Sequence, residues 1–128
     1  MLRYMLDTDI CSYIIRERPA TLRERFNAEA ERLCISAITL GELLHGAEIK
    51  PSVRPVLEQF VARIAMLDFG SAAAAHYAQI RVELKKQPIG SDDTLIAAHA
   101  RSKGLTLVTN NDREFKRVPG LRIENWTV

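Results

Sequence analysis

The sequence predicts an α/β protein, a three-layer α/β/α sandwich around one central parallel sheet. Two observations carry that prediction. Short apolar runs alternate in order with helical stripes along the chain, and strands separated by helices pair in parallel through crossovers. The 128 residues, 47% of them hydrophobic, suffice for one ordinary core, and no linker, repeat or low-complexity run divides them, so one domain over 1–128 is expected.

Leu2 to Leu6 is the first apolar run, followed by cap residues Asp7-Thr8-Asp9 and a helical stripe from Ile10 and Ile14, with Asp9 favoured over Asp7 as the cap. Pro19 suits the first turn of a peripheral helix whose Leu22 and Phe26 share a face. Leu33-Cys34-Ile35 reads as a buried strand, and Ser36 as the cap of the helix AITLGELLHGAEI. Pro51 and Pro55 precede an amphipathic helix bearing Leu57, Phe60, Val61 and Ile64. After a short strand at Met66 to Phe69, Ser71 caps a helix with Ala73, Tyr77, Ile80 and Leu84 on one face, ending in Lys85 and Lys86. A helix over 91–103, capped by Ser91, stops at Gly104; Leu105 to Val108 is a β-rich run, and Leu121 to Trp126 forms an edge strand.

Composition narrows the function. Eighteen Lys and Arg against sixteen Asp and Glu neither demand nor exclude a nucleic-acid partner. The apolar runs are too short for a membrane span, and acids interrupt the start where a signal peptide would stay apolar, which points to a cytoplasmic protein. Cys11 and Cys34 lack metal-site spacing and read as buried thiols.

In open α/β sheets sites form beyond the carboxyl ends of strands, where Asp7, Asp9 and Asp112 fall. Asp7 follows an apolar strand, a costly place for a carboxylate without a partner, although capping is a sufficient reason for it. Glu42 sits in a helix apolar around most of its circumference, where it either needs a partner or shares a solvent-facing gap with His45. In the pair Asp92-Asp93, helix phase places Asp93 within about 60° of Ile96, Ala97 and Ala100, and Asp92 beside His99 and Lys103 on the polar flank. Favourable interaction with the helix dipole explains Asp92 better than Asp93.

Three acids from separate segments, with no Arg or Lys at local spacing, suggest charge cancelled from outside. An oxygen-only donor set favours Mg²⁺, with Mn²⁺ able to substitute, over zinc, and a water retained on such an ion can attack phosphorus. A metal-dependent phosphodiester hydrolase follows as an expectation. Neither a P-loop nor a serine-nucleophile elbow is present.

The stretches YMLDTDICSYII, CISAITLGELLHGAE, PIGSDDTLIAAHARSKGL and LVTNNDREFKRVPGLRIENW resemble, in this order, the PIN-domain ribonucleases, and among them the VapC toxins of bacterial type II toxin–antitoxin pairs. The resemblance covers nearly the whole chain. It implies a PIN fold, a Mg²⁺-dependent endoribonuclease, a VapB-type antitoxin that covers the site, an RNA substrate such as a tRNA, a homodimer and a bacterial cytoplasmic location. By that resemblance Asp7, Glu42 and Asp93 match the acidic positions, with Asp7 and Asp93 holding the metal, Glu42 orienting or deprotonating the attacking water, and Glu42 and Asp112 open as further ligands. The last acidic position falls on Asn111 or Asp112, with Asp112 favoured and Asn111 then standing behind the ligands. Asp9 stands where the related motif more often has Asn, and is expected to act as an acceptor behind the ligands; Thr109 is expected to bond a ligand carboxylate or a water. Arg16, Arg18, Arg23, Arg25, Lys85 and Lys86 are candidate RNA contacts or simply solvated charges.

Two other classes remain open on the residues alone. Asp7-Thr8-Asp9 also reads as the start of a haloacid-dehalogenase-like phosphatase with Asp7 as nucleophile, although Thr109 then falls in the wrong order after Asp93. A non-catalytic antitoxin- or RNA-binding module would use the acids only as caps.

Overall fold

The computed structural model describes residues 1–128. Five short strands, β1 (Tyr4–Leu6), β2 (Leu33–Ser36), β3 (Ala65–Leu67), β4 (Thr106–Val108) and β5 (Ile123–Glu124), form one sheet of order β3-β2-β1-β4-β5. Every pairing is parallel, with Met5 opposite both Cys34 and Leu107. The helices are α1 (Thr8–Ile15), α2 (Ala20–Glu29), α3 (Ala37–Ile49), α4 (Arg54–Val61), α5 (Ser71–Glu83), α6 (Ser91–Ser102) and α7 (Asp112–Phe115).

The period-2 alternation of strand side chains divides the core between two layers. Tyr4, Leu6, Leu33, Ile35 and Val108 face one side, packed on Ile10, Leu22, Phe26, Leu43 and Leu57 of α1 to α4. Met5, Cys34 and Leu107 face the other, against Ile80, Ile96, Ala97, Ala100 and Phe115 of α5 to α7. This is the α/β/α sandwich expected from the alternation of elements. Both cysteines are buried free thiols, and no helix is long and apolar enough to cross a membrane.

Several helix boundaries differ from the expected ones. Asp7, not Asp9, caps α1, its Oδ1 accepting from Ile10 N at 2.9 Å. Ser36 caps α3 as expected. Gly70 and Gly90 occupy the cap positions assigned to Ser71 and Ser91, and Pro19 precedes α2 rather than lying within it. Ile64 lies past the end of α4, and Lys85 and Lys86 past the end of α5. The end of α6 is as expected: Gly104 adopts φ 65°, the left-handed conformation glycine favours, while Leu105 N bonds back to Ala100 O.

Parallel pairing sends all five strands out at one edge. A helix that leads back into a parallel strand runs antiparallel to it, so the N-terminus of α6 arrives at the same edge where α1 and α3 begin. That edge gathers the acidic residues.

Candidate acidic catalytic centre

Asp7 is 4% exposed, and burial pushes its carboxyl up to about 6; the Thr109 hydroxyl and Ile10 N–H pull it down, and the negative charges of Asp9 and Asp93 raise it further. Thr109 is itself fully buried and also accepts from Asn111 N at 2.9 Å. The strand-end hydroxyl therefore stands against the first acid.

Asp93 lies in the first turn of α6, half-buried, while Asp92 beside it is exposed. Burial pushes Asp93 up to about 6, and the charges of Glu114, Asp9 and Asp92 add to the effect. Helix phase thus separated the two aspartates correctly. It misjudged His99, the residue used to mark the polar flank: His99 is fully buried, its Nδ1 2.7 Å from Ser36 Oγ and its ring edge-on to Phe69. The neighbours across the sheet edge, invisible to a single-helix projection, bury it.

Glu42 has the partner its apolar helix demanded. The Thr8 hydroxyl donates to Glu42 Oε1 and approaches Thr39 Oγ1 at 3.4 Å, tying the start of α1 to α3. Burial raises the Glu42 carboxyl, the Thr8 bond lowers it, and Asp92, within hydrogen-bonding reach, raises it again together with Asp93. Asp92 is therefore more than a dipole residue, since it crowds Glu42. His45 is exposed on the next turn.

Asp93 is the electrostatic hub. It acts on both Asp7 and Glu42, and receives Asp9, Asp92 and Glu114. None of the five ion pairs of the protein includes any of these six acids. Glu114 was not foreseen. Its helix α7 is only four residues long, too short to show periodicity, and the acidic NND stretch drew attention to Asp112 instead. Asp112 accepts from Asn125 Nδ2 at 3.2 Å, whereas Glu114, two residues on and about 160° away around the helix, supplies the strongest charge on Asp93.

The donor chemistry fits a hard divalent cation: carboxylates and hydroxyls, raised in pKa by desolvation and mutual repulsion, with no cationic side chain to cancel them. No three of the protein's acids, histidines or cysteines stand close enough to ligate one ion by themselves.

Known proteins resemble this chain over nearly its whole length. The PIN domain family profile matches residues 4–121. The tRNA(fMet)-specific endonuclease VapC of Shigella flexneri is 53% identical, over 99% of this chain and 100% of that one. The ribonuclease VapC2 of Rickettsia felis is 39% identical, over 96% and 97% respectively. Among solved structures, DNA-bound VapBC from Salmonella typhimurium superposes with a TM-score of 0.94 at 50% identity, covering 98% of this chain and 99% of that one.

Proposed function

The chain belongs to the VapC family of PIN-domain ribonucleases, and from that premise we propose that it cuts tRNA(fMet) at the acidic centre with Mg²⁺, for which Mn²⁺ substitutes. The membership removes the dehalogenase-like phosphatase and the non-catalytic binding module as the activity class. The observation that carries the proposal is the Asp93 carboxylate, coupled to Asp7 and Glu42 from two other segments with no basic side chain paired to any of them. The substrate is inferred from relatives at 53% and 50% identity that are named for that tRNA.

Asp7 and Asp93 would hold the cation, directly or through water. When bound, it supplies positive charge to the scissile phosphate and to the nucleophile. Glu42, its carboxyl raised above the ordinary range and its Oε1 fixed by Thr8, accepts a proton from the attacking water. The water oxygen bonds to phosphorus as the opposite P–O bond breaks, and the departing ribose oxygen takes a proton from solvent. Thr109 keeps Asp7 oriented and favours its ionised form. Asp9, Asp92 and Glu114 add negative potential around the ligands.

A VapB-type antitoxin would silence the enzyme by covering this centre. A groove of about 350 Å³ between α1, α3 and α4 reaches Thr8 and Glu42 at one end and is walled by Ile15, Leu43 and Leu57. Its mixed lining suits an inserted peptide with an apolar side and a polar end. A homodimer and a cytoplasmic location complete the reading.

Incubation of the purified protein with tRNA(fMet) and a panel of other tRNAs tests it. Mg²⁺-dependent cutting confined to tRNA(fMet), lost in Asp7→Asn and Asp93→Asn, is expected. No cutting with metal, or equal cutting by both variants, contradicts it.

A further inference from the structure

Four arginines follow the first acidic motif, and the fold divides them into two pairs. Arg23 is paired with Glu17 at 3.0 Å, and Arg25 with Glu124 at 3.4 Å while lying over the Trp126 ring. Arg16 and Arg18 make no ion pair with a carboxylate and are exposed. Both line a cavity of about 480 Å³ with Tyr13, Pro19, Asn110 and Thr127. Glu17 lies between the two arginines at φ 61°, a left-handed conformation uncommon outside glycine, and its carboxylate is drawn off to Arg23. The cavity thus keeps both positive charges.

The rest of the lining is polar and ordered. Arg16 lies over the Tyr13 ring, 5.2 Å from its centroid, and its Nε donates to Ser12 O at 3.3 Å; neither contact neutralises the guanidinium. Asn110 Nδ2 donates to the Tyr13 hydroxyl at 3.1 Å. The tyrosine hydrogen is therefore free to donate, and Asn110 Oδ1 is free to accept. The cavity also adjoins the acidic centre through two chain segments. Asn110 follows Thr109, the hydroxyl partner of Asp7. On α1, Asp9 and Tyr13 share one face, with Tyr13 about 6 Å along the helix from Asp9 and Arg16 capping its C-terminal end.

We propose that this cavity seats the RNA strand beside the cut, with one backbone phosphate between Arg16 and Arg18 and the ribose 2′-hydroxyl of that nucleotide against the Asn110–Tyr13 pair. The inference rests on the ribonuclease reading. An acidic centre repels a polyanion, so the strand needs adjacent positive charge to be held there. Unpaired arginines meet that need, and a donor and acceptor side by side match a 2′-hydroxyl, which is both.

The test uses the full chain and tRNA(fMet), comparing wild type with Arg16→Gln/Arg18→Gln. Both side chains are exposed, so the fold is retained, and Arg16→Lys/Arg18→Lys serves as the charge-keeping control. KM is expected to rise about tenfold with kcat within about twofold, and the slope of log affinity against log salt to become shallower by about 0.7, the value for one phosphate on a single strand. The lysine pair should restore the slope. A single 2′-deoxy substitution at nucleotides flanking the cut should slow wild type at one position and leave Asn110→Ala indifferent there. If wild type cuts while the glutamine pair keeps its KM and salt slope, or loses only binding to an antitoxin chain, this inference falls and the ribonuclease reading stands. If wild type does not cut, both fall.

Discussion

The two ends of α6 are built on opposite principles. At its C-terminal end Arg101, its side chain only 11% exposed, has a partner for every nitrogen: Nε donates to His76 Nδ1, one terminal nitrogen to Glu83 Oε1 and Pro119 O, the other to Gln79 Oε1. His76, Gln79 and Glu83 lie on one face of α5, so this guanidinium clamps α5, α6 and the following loop together. At the N-terminal end Asp93 faces Asp7, Glu42 and Glu114 across the sheet edge with no cation in reach. One end satisfies its charge inside the protein and stabilises the fold. The other leaves its charge unsatisfied, which costs stability and suits it to bind an ion from outside.

The strongest way to break this contrast is to remove one charge from each end. Asp93→Asn should lower tRNA cleavage by about a thousandfold or more while raising the melting temperature of the metal-free protein, because it relieves repulsion. Arg101→Ala should do the reverse, costing about 2 kcal/mol in chemical denaturation through the lost hydrogen bonds and packing of a largely buried guanidinium, with kcat retained in the folded fraction. A falling melting temperature in metal-free Asp93→Asn would erase the distinction.

Protonation probes the acidic end alone. A carboxyl raised from 3.8 to about 6 binds its proton more tightly in the folded protein than in the unfolded chain. The contribution of Asp7 and Asp93 to metal-free stability is therefore most favourable below about pH 4 and is lost as pH rises through 6. Melting curves between pH 4 and 7 should show this slope in wild type, weakened in Asp93→Asn and intact in Arg101→Ala. The smallest effect belongs to Asp92→Asn. Asp92 raises Glu42 from an exposed position, so its loss should shift the pH profile of kcat to lower pH and leave most of the cleavage.

Features that depend on one segment were legible in the sequence. The strands showed as apolar runs, and the inward turn of Asp93 followed from its spacing to Ile96, Ala97 and Ala100. Most contacts between two segments were not. Thr8 reaches Glu42 across 34 residues, and Ser36 meets His99 across 63. His99 looked polar in projection because its burial comes from β2 and Phe69. Glu114 escaped because α7 is a single turn, and the Asp7 cap was misassigned to Asp9 because both aspartates suit capping and only the backbone decides. The fold class was therefore accessible from pattern, and Asp7, Glu42 and Asp93 from the resemblance, whereas Glu114 and the Thr8 bond to Glu42 required the sheet edge to be assembled.

Burial and neighbouring negative charge leave Asp7 and Asp93 partly protonated near pH 6, a state that a bound divalent cation would relieve. Calorimetric titration with Mn²⁺ at pH 6, repeated in buffers of different ionisation enthalpy, measures this directly. With both carboxyls near pKa 6, each is half-protonated, so binding should release about one proton per chain, and Asp93→Asn should lose both the binding and the release. Binding without proton release, or binding that survives unchanged in Asp7→Asn and Asp93→Asn, would contradict it.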